Sequence, residues 1–157
     1  MGGETPYAIL LVTLALLLVS AGIQDARTRE IANWKNAAIL ALAPLWWWAN
    51  ALPLWPDMAI QVGMAAIVFA FFYGAFVMGW MGGGDVKMIG ALALWLPLHA
   101  LAWMLIVMSL LGGALTLLLV AERAVRKRTG AIEIPYGVAI ALAALLALRE
   151  PILNRFQ

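Results

Sequence analysis

Long apolar runs separated by short polar connections make up most of this chain. The runs fall at about 7–24, 34–52, 58–81, 86–97, 99–121 and 134–149. An apolar helix of about 20 residues is long enough to cross the hydrocarbon core of a bilayer. The pattern therefore predicts an all-α integral membrane protein, built as a bundle of about six transmembrane helices.

The boundary between the fourth and fifth runs depends on one proline. A single helix over residues 85–121 would be about 55 Å long, far more than the roughly 30 Å of a bilayer's hydrocarbon core. Pro97, within Leu96-Pro97-Leu98-His99, lacks a backbone N–H and disfavours helix at the residue before it. We therefore predict a break there and a separate crossing on each side of it.

Composition agrees with a membrane protein and narrows its chemistry. Hydrophobic residues make up 66% of the 157 positions, and charged residues only 11%. The chain has no cysteine and one histidine, which excludes disulfides, thiolate zinc sites and histidine-rich metal sites. The first apolar run lacks the basic start of a secretory signal, so we expect a retained helix. No linker or repeat divides residues 1–157, and we predict a single domain.

The basic residues predict how the bundle is oriented. Eight of the ten lie on one side if all six runs cross, and these are Arg27, Arg29, Lys35, Lys87, Arg123, Arg126, Lys127 and Arg128. The positive-inside rule makes that side cytoplasmic and both termini external. Because these charges are explained by topology, a nucleic-acid partner is not expected.

Tryptophans are also placed near the predicted ends of the helices. Trp34 and Trp80 fall at cytoplasmic ends, and the external ends carry Trp46, Trp47, Trp48, Trp55, Trp95 and Trp103. Tryptophan is enriched where membrane meets water. We therefore interpret all eight as interfacial belts in contact with the lipid bilayer.

Two of the three aspartates lie at the predicted cytoplasmic rim. Asp25 ends the first run, and Asp85 opens the fourth within GWMGGGDVKMIG, residues 79–90. Asp57 falls in an external loop, where a turn or cap is a sufficient role. Glycines before Asp85 would let another chain approach closely, although close helix packing explains them too. Each aspartate by itself is also compatible with a helix cap or an ion pair with a nearby Arg or Lys.

Two carboxyl groups brought close together share a proton and act as a general base and a general acid. This is the chemistry of aspartic proteases, which activate a water molecule to attack an amide and need no metal or cofactor. A helix start favours the ionised form and a helix end the protonated form. From the helix ends alone, we assign the charge to Asp85 and the proton to Asp25.

Three motifs in this order resemble the type IV prepilin peptidases, the GxGD intramembrane aspartyl proteases, and in particular the short form of Tad/Flp pilus systems. They are DARTREIAN at 25–33, GGGDVKMIGAL at 82–92 and IPYGVAIA at 134–141. The resemblance implies that Asp25 and Asp85 are catalytic. It also implies supporting roles in the active site for Gly82, Gly84, Lys87, Asn33, Pro135, Tyr136 and Gly137. Ala32 departs from the family, which commonly has proline at that position.

The resemblance also implies a function and a location. Such enzymes cut a short basic leader from prepilins or pseudopilins, after a glycine, at the cytoplasmic face of the bacterial or archaeal inner membrane. The cytoplasmic zinc domain of the bifunctional members has no counterpart here, so the resemblance implies a peptidase without methyltransferase activity.

Three other functions remain as alternatives. A small ion-coupled transporter would place carboxylates along a pathway through the bilayer, whereas both aspartates lie at one rim. A magnesium-dependent lipid-headgroup transferase would need several clustered carboxylates, and DARTR supplies one. A non-enzymatic membrane subunit of a secretion or pilus machine would leave the paired aspartates unexplained.

Overall fold

The computed structural model describes residues 4–127 and 134–153. This part of the chain forms six α-helices and no strands, so the predicted all-α architecture is confirmed. The helices are α1 Glu4–Thr28, α2 Asn33–Ala49, α3 Ala59–Val77, α4 Gly83–Ala93, α5 Leu98–Arg126 and α6 Tyr136–Leu153. A short irregular helical turn, Leu54–Met58, leads into α3.

Three segments are long and apolar enough to cross a membrane: Pro6–Thr28, Leu54–Val77 and Leu98–Arg126. Tyr136–Arg149 is a shorter apolar helix. These segments support a membrane protein, while six crossings and the orientation of the bundle stay predictions. Arg128, one of the basic residues counted above, lies outside the described residues.

The shortest helix, α4, is at the centre of the bundle. Its 11 residues give it a length of about 16 Å, roughly half the thickness of the hydrocarbon core. Eight of these residues are buried, since α2, α3 and α6 all pack against it. The predicted break is confirmed, because α4 ends at Ala93 and Pro97 is the N-cap of α5.

Small residues let the helices pack closely. A Cβ on Gly90 of α4 would come within 2.8 Å of the Phe69 ring of α3. A Cβ on Gly112 of α5 would overlap the ring of Tyr136 in α6. Buried Lys35 fastens α2 to α1 by donating from Nζ to the carbonyl oxygen of Ser20 at 2.8 Å. The contact between Gly112 and Tyr136 places the start of α6 against the middle of α5.

Two of the predicted interfacial tryptophans lie inside the bundle, so that interpretation is wrong for them. Trp46 and Trp95 are buried with their rings stacked at 5.4 Å between centroids. The Trp46 indole N–H donates to the Trp95 carbonyl at 3.1 Å, and the Trp95 indole N–H to that of Ile39 at 2.8 Å. The last carbonyls of a helix have no intrahelical partner, and α4 ends inside the protein. Side chains therefore donate hydrogen bonds to the carbonyls at this end of α4. The Trp47 indole N–H donates to the Leu94 carbonyl, and the Gln61 side-chain amide donates to the Ala93 carbonyl.

Candidate active site

Asp25 lies in the last turn of α1 and is buried. The helix ends because Arg29 adopts a left-handed conformation, with a φ of 58°, and its N–H donates to the Asp25 carbonyl at 2.9 Å. Such a left-handed residue is a common way to end a helix. The chain then turns toward α2, and the Asp25 side chain is left facing the start of α6.

Asp85 lies in the first turn of α4 and is buried as well. Gly82 is the N-cap, with extended backbone angles of −70° and 144°. A Cβ on Gly82 would lie 3.1 Å from Oδ2 of Asp85, and one on Gly84 would lie 3.2 Å from Cβ of Ile31. Gly82 therefore leaves room for the carboxyl group, and Gly84 lets α4 pack against the connection between α1 and α2.

The start of α6 forms the third wall of the site. The Val138 N–H donates to Oδ2 of Asp25 at 3.2 Å, and the Gly137 backbone forms a second hydrogen bond to the same carboxyl group. Pro135 and Gly137 are buried, whereas Tyr136 is half-buried. Three segments that are far apart in the sequence thus meet at one end of the bundle.

Asp25 and Asp85 line the same cavity, which has a volume of about 440 Å³. Arg29, Glu30 and Tyr136 are also part of its wall. The sequence placed both aspartates at one rim, and the structure brings their side chains together. Polar side chains therefore line the space beside the two carboxyl groups.

The environment of Asp85 favours its protonated form. Burial, and after it the nearby Asp25 carboxyl group, raise the pKa of Asp85 to about 7, against the opposing effect of a backbone hydrogen bond from Gly82. Asp85 lies outside the three long apolar segments. Near neutral pH this pair of carboxyl groups can therefore hold one proton, as general acid and base catalysis requires.

Lys87 and Asn33, predicted to support the site, contact each other but do not line the cavity of the two aspartates. Lys87 Nζ donates to Asn33 Oδ1 at 2.8 Å, and both residues lie at a second, mostly apolar cavity of about 600 Å³. Buried Asn36, which was not predicted from the sequence, donates to the Gly84 carbonyl at 2.9 Å. The feature of the sequence that could have identified Asn36 is its position one helical turn after Asn33. These contacts tie the start of α4 to α2.

Ala32 is expected to accept the proline that is common in the family. Its φ of −60° matches the value that proline fixes, and its N–H makes only a long bond of 3.4 Å to Gln24 Oε1. We expect Ala32→Pro to change the free energy of unfolding by less than about 1 kcal/mol. Denaturant unfolding in detergent measures this, with Gln24→Leu removing the same bond without adding a ring. A loss above about 2 kcal/mol in Ala32→Pro alone would contradict it.

No group of three or more His, Cys, Asp or Glu side chains is placed to hold a metal ion within residues 4–127 and 134–153.

Comparison with known proteins identifies the family. The family model described as the type IV leader peptidase family matches residues 11–117, about two thirds of the chain. No curated protein and no solved structure gives a significant match. The matched range includes both aspartates and ends before α6. This chain belongs to the type IV leader peptidase family.

Proposed function

We propose that this protein is a prepilin peptidase of the Tad/Flp type that cleaves leader peptides with Asp25 and Asp85 as an aspartyl pair. Membership of the family implies a protease of the leader-peptidase kind and prepilin substrates in general. The observation that carries the finer proposal is the shared cavity of two buried carboxyl groups. They come from separate motifs 60 residues apart and meet only through folding.

The cavity fits peptide cleavage better than it fits ion transport or a purely structural role. A pathway that carries ions on carboxylates needs them at several depths, whereas Asp25 and Asp85, the only acidic groups found buried among the side chains that the structure describes, line one cavity. A purely structural subunit gives no reason to bury two carboxyl groups side by side, since each raises the cost of ionising the other.

Co-expression with a Flp-type prepilin tests the proposal. We expect the wild-type protein to convert the precursor to a shorter pilin on a gel. The matched control is a prepilin whose glycine before the scissile bond is replaced, which we expect to stay full length. Intact wild-type precursor alongside correctly inserted enzyme would contradict the proposal.

Activity is expected to fall as the pH rises through about 7. The pair needs one proton, and the pKa of Asp85 is raised to about 7, so that this group is protonated below that pH and ionised above it. Initial cleavage rates of a prepilin peptide in proteoliposomes, from pH 5 to pH 9, measure the profile. An Asp57→Asn protein, altered at an exposed position, should give the same curve. Activity that rises or stays level through pH 7 would contradict the shared proton.

A further inference from the structure

The start of α6 packs directly onto the carboxyl group of Asp25. A Cβ on Gly137 would lie 2.8 Å from Asp25 Cγ and 2.9 Å from Asp25 Oδ2. Real side chains do not come so close, so any other residue would push α6 and Asp25 apart. The absence of a side chain at this position is therefore what permits the hydrogen bonds from Val138 and Gly137.

The donors at this contact favour a negative charge. The first N–H groups of an α-helix have no intrahelical acceptor, and the helix dipole adds partial positive charge at that end. Hydrogen bonds to the ionised form of a carboxyl group stabilise that form. Burial disfavours the charge on both carboxyl groups, but Asp25 receives two backbone bonds from α6 that oppose this effect, whereas Asp85 receives one, from Gly82.

If the protein is the peptidase proposed above, we propose that Gly137 is a positioning residue, which lets the start of α6 hold Asp25 as a carboxylate. Asp25 is then the base and Asp85 is the acid. This reverses the assignment made from the helix ends alone. Asp25 is at the end of its own helix, but packing places it at the start of another.

The roles give a balanced reaction. Asp25 takes a proton from water as the water oxygen bonds to the scissile carbonyl carbon, and Asp85 gives its proton to the carbonyl oxygen, which yields a tetrahedral diol. The C–N bond then breaks. Asp25 returns its proton to the leaving nitrogen, and one hydroxyl of the diol returns a proton to Asp85. The products are a carboxylic acid and an amine, and both aspartates regain their starting forms.

Other ionisable groups around Asp25 come from each neighbouring element. Asp85 faces it from α4 and disfavours a second charge. Arg29, just after α1, attracts the carboxylate. Glu30 and Tyr136 lie in the same cavity wall. The substitution at Gly137 changes none of these groups, so a shifted pH profile would report on the contact with α6.

Gly137→Ala is the test, with Gly22→Ala as its matched control. Gly22 is one turn before Asp25 in the same interface, where a Cβ would lie 3.2 Å from Cβ of Ala141. We expect Gly137→Ala to move the acidic limb of the kcat/KM profile to higher pH by about one unit, a roughly tenfold lower rate at acidic pH. Gly22→Ala should leave the limb in place. A uniform loss at every pH in Gly137→Ala, or a shift of only the alkaline limb, would overturn the proposal.

A second measurement needs neither activity nor a folded Gly137 variant. Carboxyl ¹³C NMR of aspartate-labelled wild type at pH 6 reports the form of each side chain within the intact pair, and Asp25→Asn serves only to assign the Asp25 signal. We expect that signal at the chemical shift of a carboxylate, and the shift of a protonated carboxyl group would overturn the assignment. Because this result does not depend on cleavage, a wild type that cleaves no prepilin would count against the peptidase function and not against the position of the proton.

Discussion

Replacing Asp25 or Asp85 by asparagine is expected to lower the rate of prepilin cleavage by at least about 1,000-fold. Asparagine keeps the size of the side chain but neither takes a proton from water nor gives one to the substrate. Both carboxyl groups are buried at one cavity, so bulk water does not readily replace either. Single-turnover cleavage of a prepilin by purified enzyme in proteoliposomes gives the rate constants.

The double variant tests whether the two aspartates act as a unit, which neither single variant can show. Residues that act as a unit give strongly non-additive losses, so we expect Asp25→Asn with Asp85→Asn to be no slower than the slower single variant. Asp57→Asn, at the exposed turn before α3, is the control and should cleave at the wild-type rate. Near-normal cleavage by either single variant, at equal enzyme concentration, would refute the aspartyl pair.

Trp95→Ala is expected to destabilise the folded protein by about 3–5 kcal/mol. Trp95 is only 2% exposed, stacks on Trp46 and donates its indole N–H to the Ile39 carbonyl. Alanine would leave a cavity and remove the partner of a buried carbonyl, and both effects lower stability. The free energy of unfolding from denaturant titration in mixed micelles measures the loss.

Trp48→Ala is the matched control for this prediction. Trp48 is 73% exposed, so its removal should change the free energy of unfolding by less than about 1 kcal/mol. Equal effects of the two substitutions would mean that Trp95, like Trp48, acts at the surface of the bundle. That result would support the original interpretation of all eight tryptophans as interfacial.

The sequence alone predicted the helices, and it singled out the two aspartates that line one cavity in the structure. Apolar runs predict helices because a backbone in lipid must satisfy its own hydrogen bonds, and Pro97 marks the break because it lacks an N–H. Asp25 and Asp85 were identifiable because ionisable residues are rare next to such runs. The glycines and the spacing of the three motifs then indicated the family, which the match over residues 11–117 confirms.

The sequence analysis misplaced two of the tryptophans for a physical reason. Hydrophobicity along a chain does not tell whether an apolar residue faces lipid or protein, because both surroundings are apolar. Trp46 and Trp95 were for this reason placed at the membrane surface, although they lie in the core. Lys87 and Asn33 were expected at the active site, yet they bond to each other away from the aspartate cavity.

Only the tertiary structure decided what surrounds each carboxyl group. The central position of α4 follows from packing by α2, α3 and α6, and no local pattern encodes those contacts. The hydrogen bond from Val138 to Asp25 joins residues 113 positions apart, so an assignment of the charge from helix ends alone could not take it into account. The sequence by itself determined which residues can ionise and which segments are helical. Packing determined which helix end faces each carboxyl group, because hydrogen bonds and desolvation act through space and depend on neighbours that are distant along the chain.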